Sequence, residues 1–231
     1  RITPSAVWFG REDAVEVGRK ALRRRTVEAG RVITSVKRLM GRRHGEEHEF
    51  CVPMERAADG GVKVLGRTPE EVSAEILREL KDIAEMRLER SAAKAVITVP
   101  AYFSDAQRQA TREAGEIAGL EPVRILNEPT AAALTYEAGH REGKRVVVYD
   151  LGGGTFDVSV VRIEDGVVEV ISGHGNNHLG GDDFDARLVG HILDHLKIKQ
   201  GIDVSGDLRA MARISRAAET AKKRLSVEAY C

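Results

Sequence analysis

Hydrophobic positions in this chain recur at two spacings, every second residue and every third or fourth, and the changes of spacing mark the elements. Residues 2–9 form a short β-like run, followed by a polar turn and a basic helical stretch over 18–28. Apolar runs at 50–55 and 62–65 flank Asp59-Gly60-Gly61, which predicts a hairpin whose first strand, carrying Pro53, lies at an edge. Thr68-Pro69-Glu70-Glu71 joins an N-cap threonine, a proline at the first helical position and a glutamate completing a capping box. The helix it opens places Val72, Ile76, Leu80, Ile83 and Leu88 on one face and runs to about residue 90. Residues 95–99 are an apolar β run stopped by Pro100, and Ser104-Asp105-Ala106-Gln107 is a second capping box whose helix Gly119 can close. A strand over 122–126 and an alanine-rich helix over 129–137 complete an order of strands and helices that predicts an α/β domain.

The second half opens with a strand over 146–149 ending in Asp150. Gly152, Gly153, Gly154, Thr155 and Asp157 follow, within a second β run over 156–164. Asp165-Gly166 predicts a hairpin to a third strand over 167–172, and 173–177 reads as loop. Gly180-Gly181-Asp182-Asp183 leads into a helix to about residue 199, and Met211, Ile214, Ala218 and Leu225 define the face of a last helix. There is no internal repeat.

The chemistry concentrates in D-L-G-G-G-T-F-D, residues 150–157. Glycines without Cβ allow positive φ and close approach to a ligand, and successive amides in such a turn can form an anion nest. An acid beside a phosphate cradle needs an intervening cation, for which Mg²⁺ is the usual bridge. The stretch therefore reads as a phosphate-and-magnesium loop, the alternative being a plain glycine hairpin. G-x-x-x-x-G-K-[ST] is absent, and a strand rather than a helix follows, so neither a Walker loop nor a dinucleotide fingerprint fits. A loop between strands is expected to bind phosphate through backbone amides without a helix dipole.

Composition narrows the class further. With 36 acidic and 36 Lys plus Arg residues, the formal charge is zero, which argues against nucleic acid as main partner. The clusters Arg23-Arg24-Arg25 and Arg42-Arg43 read as solvated faces. At 42% hydrophobic residues the 231-residue chain can bury a core, as one large domain or two small ones. No apolar run spans a bilayer and no signal peptide opens the chain, while Cys51 and Cys231 have neither disulfide-framework nor metal spacing. No membrane role and a cytoplasmic setting are expected. The chain starts at Arg1 and stops after a helical run, as if cut at both ends.

Other candidates are ambiguous singly. His44-Gly45-Glu46-Glu47-His48 matches H-x-x-E-H, but zinc ligation needs a continuous helix that Gly41, Gly45 and Pro53 discourage, so a solvated turn is expected. His174 and His178 read as loop histidines. Lys37 is either a lysine aimed at a terminal phosphate or a surface lysine. Glu128 is a site carboxylate or a helix-dipole partner. Glu219, Lys222, Lys223 and Ser226 share one helix face, for gripping a sugar or base or for solvent.

Together the motifs resemble the seventy-kilodalton heat-shock chaperone family, the DnaK class, across essentially the whole chain. The stretches are I-T-P-S at 2–5, S-V-K-R-L-M-G-R at 35–42, A-V-I-T-V-P-A-Y-F-S-D-A-Q-R-Q-A-T at 95–111, I-L-N-E-P-T-A-A-A-L at 125–134, V-Y-D-L-G-G-G-T-F-D at 148–157 and H-L-G-G-D-D-F-D at 178–185. S-V-K-R-L-M-G-R and L-G-G-D-D-F-D lean toward the HscA-like branch, associated with iron–sulfur cluster assembly. The resemblance implies an actin-like ATPase (ribonuclease H-like) α/β fold with two lobes around a nucleotide cleft. Residues 1–140 would form lobe I, with an outer part to about 68 and an inner part after it. Residues 141–231 would begin lobe II, inner to about 180 and outer helical thereafter.

ATP or ADP with Mg²⁺ would be the cofactors. On this resemblance Gly152, Gly153, Gly154 and Thr155 form a phosphate loop, Asp150 holds Mg²⁺ through water, Lys37 approaches the γ-phosphate, and Glu128 organises the metal and water shell. Gly180 and Gly181 lie near the phosphates, Glu219, Lys222, Lys223 and Ser226 pack on adenosine, and Pro100 with Arg108 relays nucleotide state. The implied activity is ATP hydrolysis controlling client polypeptides, with a J-domain co-chaperone and a nucleotide exchange factor as partners. The family's D-x-G-T-T loop and a later G-G-x-x-R segment are not among these residues, and Lys223 stands where arginine is common. Weak binding and slow turnover are therefore expected of this chain by itself, with a non-catalytic interaction module as the alternative. An actin-like filament protein or sugar kinase would lack N-E-P-T-A-A-A-L and V-P-A-Y-F.

Overall fold

The computed structural model describes residues 2–46, 52–137, 144–164 and 167–230. Cys51, Cys231, Glu47, His48, the start of the 50–55 run and the Asp165-Gly166 turn lie outside them. The described residues form a mixed α/β structure with helices packed on four small sheets.

β1 (Ala6–Phe9) is the middle strand of an antiparallel sheet, between β2 (Val15–Val17) and β3 (Val32–Thr34). All four β1 residues are buried because both faces are covered. Val7 and Phe9 pack with Ile33, Val64 and Val72, while Ala6 and Trp8 pack with Ala21 and Val32. β2 and β3 are three residues each, too short to register as a period, so the sequence signalled neither. The basic stretch contributes only α1 (Arg19–Arg24). A 3-10 turn over Val36–Leu39 buries Val36 and Leu39 and leaves Lys37 and Arg38 partly exposed.

The expected hairpin is present as β4 (Met54–Arg56) and β5 (Val62–Val64). α2 (Pro69–Leu88) opens on the expected box: the Thr68 side chain accepts from the Glu71 amide at 3.2 Å, and the Glu71 carboxylate accepts from the Thr68 amide at 2.8 Å. Such a cap contributes about 1 kcal/mol. β6 (Lys94–Val99) and β7 (Glu121–Asn127) pair in parallel, connected by α3 (Asp105–Ile117), which carries the second box at Ser104 and Gln107. Gly119 takes φ 74° just beyond that helix, as a terminating glycine does. The β6–β7 pair does not join the β1 sheet among the described residues.

α4 (Glu128–Glu137) starts directly at the end of β7. β8 (Lys144–Leu151), β9 (Phe156–Glu164) and β10 (Val167–Asn176) form an antiparallel meander, with α5 (Gly181–Gln200) and α6 (Leu208–Leu225) after it. The reading of 173–177 as loop is corrected. Gly173, His174, Gly175 and Asn176 pair with Ser159, Val158, Asp157 and Phe156, and the ladder absorbs their glycines and polar residues through a register shift between Val170 and Ser172. Parallel pairing brings the ends of β6 and β7 to one side, so the turn after Val99 and the start of α4 at Glu128 are neighbours. No helix among the described residues is long and apolar enough to cross a membrane.

Candidate functional site

The glycine turn joins β8 to β9 and is closed by the Gly152 amide donating to the Thr155 carbonyl at 2.9 Å. Gly152, Gly153 and Gly154 are not among the described positive-φ residues, so the expected left-handed backbone is not their reason for being glycine. Close approach constrains Gly154 and Gly180: a Cβ on Gly154 would lie 2.9 Å from Arg38 Nε, and a Cβ on Gly180 would lie 2.3 Å from the Gly153 carbonyl oxygen, whereas a Cβ on Gly152 or Gly153 would meet only ordinary contacts at 3.4 and 3.6 Å.

The two glycine pairs, distant in sequence, are one structure. The Gly181 and Asp182 amides at the start of α5 donate to the Gly152 and Gly153 carbonyls at 3.0 and 2.9 Å. The expectation of a turn without a helix end is therefore corrected: the N-terminus of α5 abuts it, and its first amides hold the turn's carbonyls. Arg38 clamps this unit from the 3-10 turn. Its Nε donates to the Gly154 carbonyl at 3.1 Å, and its two terminal nitrogens donate to Asp183 at 3.2 and 2.5 Å. Asp183 also accepts from the Gly180 amide at 2.7 Å. Burial works against the Asp183 charge, but hydrogen bonding to Arg38 prevails and holds the carboxyl below its ordinary range. Ser35 Oγ donates to Asp182 in a second link between the same segments.

Beside the turn, carboxylates gather. Asp150 and Asp157 are direct partners across the β8–β9 ladder, so two acids point to one face, an arrangement that is destabilising without a cation. Asp157 is 2% exposed, and neither of its oxygens meets hydrogen-bond geometry with a partner among the described residues, although the Ala101 amide is near enough to favour its charge. Gly175 makes room for it, since a Cβ there would fall 2.1 Å from Asp157 Oδ1. Burial, followed by the charges of Glu128 and Asp150, pushes the Asp157 carboxyl above its ordinary range, against the Ala101 amide and Lys37. Lys37 Nζ donates to Glu128 Oε1 at 2.7 Å, joining residues 91 apart in sequence. No group of three acidic, His or Cys side chains among the described residues could hold a metal ion directly. The uncompensated Asp150–Asp157 pair suits a cation held at a distance through its waters, which is the mode expected for Mg²⁺.

The raised Asp157 carboxyl has a consequence for stability. The folded state binds its proton more tightly than the unfolded chain, so stability is fullest below the unfolded value and declines as pH rises through the folded one. Without nucleotide or divalent metal, Asp157→Asn should melt at a higher temperature than the parent at neutral pH, and the gap should close on acidification below the ordinary carboxylate range. Parallel melting curves at all pH values would contradict this.

Other expected residues lie around this centre. Pro100 is fully buried, and Arg108 donates to the Ala101 and Phe103 carbonyls, each at 3.1 Å, and to Asn127 Oδ1 at 2.8 Å. Arg108 thus braces the turn after β6 against the residue preceding Glu128. Tyr102 in that turn donates its hydroxyl to the Gly173 carbonyl and packs edge-on against His174, 6.2 Å between ring centres. His178 stands 2.9 Å from an Arg42 nitrogen. The loop-histidine reading therefore fails for His174, which is a strand residue in contact with Tyr102. His44 and Gly45 lie in a turn, Glu46 accepts from the Arg43 amide at 3.2 Å, and Glu47 and His48, the remainder of the H-x-x-E-H match, are outside the described residues.

On α6, Lys222 donates to the Gly181 carbonyl at 2.9 Å and pairs with Asp185 at 2.8 Å, tying that helix to the start of α5. Lys223 pairs with Glu219, holding its carboxyl down, and Ser226 Oγ donates to the Lys222 carbonyl at 3.4 Å. The structure thus gathers Lys37, Glu128, Asp150, Thr155, the glycines and Lys222, and sets Glu219, Lys223 and Ser226 along the adjoining helix. Sequence reasoning did not single out Arg38, Asp183 or the burial of Asp157. The adjacency of Arg38 to Lys37 was the only local hint.

The sequence model of the family described as "Hsp70 protein" matches residues 1–230. The chain belongs to the Hsp70 family. A curated member, the "Chaperone protein dnaK" of Cyanidioschyzon merolae (strain NIES-3377 / 10D), is 44% identical over an aligned length of 236 residues, covering 98% of this chain. The chain spans 39% of the length of that relative. For an Hsp70 chain the mixed α/β architecture agrees with an actin-like ATPase fold, and the D-L-G-G-G-T turn lies beside Asp157 and the start of α5.

Proposed function

We propose that the chain is the ATP-binding part of a chaperone, with Mg²⁺-nucleotide bound between an N-terminal lobe, about residues 1–140, and the start of a second lobe after it. The observation that carries this reading is the meeting of the glycine turn, the α5 start, the Lys37–Glu128 pair and the opposed Asp150 and Asp157 at one place. Amides of the glycine turn and the Thr155 hydroxyl cradle phosphate. Asp150 would hold Mg²⁺ through water, and the ion would supply neutralisation of phosphate charge. Lys37, paired with Glu128 at 2.7 Å, would approach the terminal phosphate and the attacking water, and Glu128 would order the surrounding water shell. Catalysis in such a site is positioning and charge neutralisation. Glu219, Lys223 and Ser226 flank the nucleoside, while Lys222 keeps α6 against the phosphate end.

Loss of the terminal phosphate's negative charge beside Lys37 shifts the closure of the two lobes. The turn from Pro100 to Phe103, braced by Arg108, carries that shift outward. Client polypeptides, a J-domain co-chaperone, a nucleotide exchange factor and a cytoplasmic setting follow from the family resemblance. The test is a titration of Mg-ATP and Mg-ADP into the parent and Asp150→Asn. Asp150→Asn should weaken magnesium-dependent binding by about tenfold or more, the size expected for a lost charge-assisted contact. Equal affinity in both would overturn the reading and leave a non-catalytic interaction module.

A further inference from the structure

Along α6, residues 210, 213, 214, 217, 221 and 224 recur at three- and four-residue spacings and share one side of the helix. Together with Thr26, beyond α1, that side forms an open groove of about 960 Å³. None of the residues that build the glycine-turn site lines it. Its charge is one-sided: Arg213, Arg216 and Arg224 line it, with no carboxylate among the described residues doing so. Arg224 is neutralised by Glu228 at 2.6 Å. Arg213 and Arg216 are exposed and make no side-chain ion pair or hydrogen bond among the described residues. The two threonines of the wall commit their hydroxyl hydrogens to backbone, Thr26 to the Arg23 carbonyl at 3.2 Å and Thr220 to that of Arg216 at 2.8 Å. The donors left facing the groove are guanidinium N–H groups, above a floor of Ile214 and alanines.

We propose that this groove binds a small phosphate-bearing molecule, its phosphate held by Arg213 and Arg216 and its apolar body resting on Ile214 and Ala217. Two unopposed guanidinium forks match phosphate oxygens in a bidentate way that lysines do not. The size of the groove falls within the range of small-molecule sites, about 300–1,000 Å³, and the mixed lining favours a ligand with both a charged and an apolar part. The site is separate from the nucleotide reading, and either can fail alone.

Inorganic pyrophosphate titrated calorimetrically into the full 231-residue chain, in magnesium-free buffer, tests it. The pair Arg213→Ala with Arg216→Ala should weaken binding about tenfold or more, whatever Lys37→Ala does. Arg213→Lys with Arg216→Lys keeps the charge and loses the fork, so it should bind at an intermediate level; it also serves if the alanine pair melts early. No binding by the parent at millimolar pyrophosphate, or binding indifferent to both arginine pairs, overturns the proposal. So does an affinity that appears only for an acidic helical peptide.

Discussion

If the chain hydrolyses ATP as proposed, Lys37→Ala should slow its single-turnover rate by about 10²–10³-fold while changing ADP affinity far less, the range seen when one preorganised charge or donor is removed from a reacting centre. The ammonium lies 2.7 Å from Glu128, and Asp157 also responds to its charge. A terminal phosphate entering beside the glycine turn would therefore meet a cation already held at the edge of a carboxylate group. Removing it would leave that phosphate facing the carboxylates of Glu128, Asp150 and Asp157 without a protein cation beside Glu128. Lys37→Arg keeps the positive charge but not its compact shape, so it should recover only part of the rate. The checking measurement is the rate of phosphate release from preformed complex, beside an ADP titration. Equal losses in rate and ADP affinity would mean that Lys37 serves binding rather than the chemical step.

Gly180→Ala should be the most damaging single methyl at this site. Gly180 has extended backbone, φ −175° and ψ −170°, so alanine meets no backbone strain there. The obstacle is contact: the new Cβ would lie 2.3 Å from the Gly153 carbonyl oxygen, 2.5 Å from its carbon and 2.7 Å from the Gly154 nitrogen. These are backbone atoms that cannot swing aside. The α5 start must move away from the turn, breaking the Gly181-to-Gly152 and Asp182-to-Gly153 hydrogen bonds. We expect a loss of about 1–3 kcal/mol, typical of forced overpacking, together with loss of measurable ADP binding. Gly190 in the same helix is the matched control, because nothing lies within 4 Å of a Cβ there. Alanine at 190 should raise stability by about 0.5–1 kcal/mol through helix propensity and leave binding unchanged. Thermal melts and ADP titrations of the two variants decide the matter, and similar behaviour at 180 and 190 would refute the contact argument.

Both predictions concern atoms that the sequence brings near one another only through folding. Local signals were legible where their physics is local. The capping boxes at Thr68 and Ser104 involve residues three apart, and both are present with reciprocal hydrogen bonds. The β8–β9 glycine turn and the parallel β6–α3–β7 unit likewise follow from short-range pattern. The reading failed where the pattern was weak or the decisive partner distant. β2 and β3 are stabilised by pairing with β1 rather than by any periodicity of their own. The end of β10 is glycine-rich and polar, yet it pairs because β9 offers a complete edge and because Gly175 leaves space for Asp157.

The amino-acid sequence by itself determined the family and the longer elements in their order. Those are carried by contiguous residues whose turn and cap properties do not depend on the remainder of the chain. Tertiary structure alone decided that Arg38 fastens the glycine turn to Asp183 across 145 residues, that Lys37 meets Glu128 across 91, and that Asp157 is buried opposite Asp150. It also decided why Gly154 and Gly180 are glycine, through close approach to Arg38 and to Gly153 rather than through positive φ. The physical reason is common to all of these: burial, charge coupling and steric exclusion act between surfaces. Which surfaces meet is set by the packing of whole elements and not by the spacing of residues along one of them.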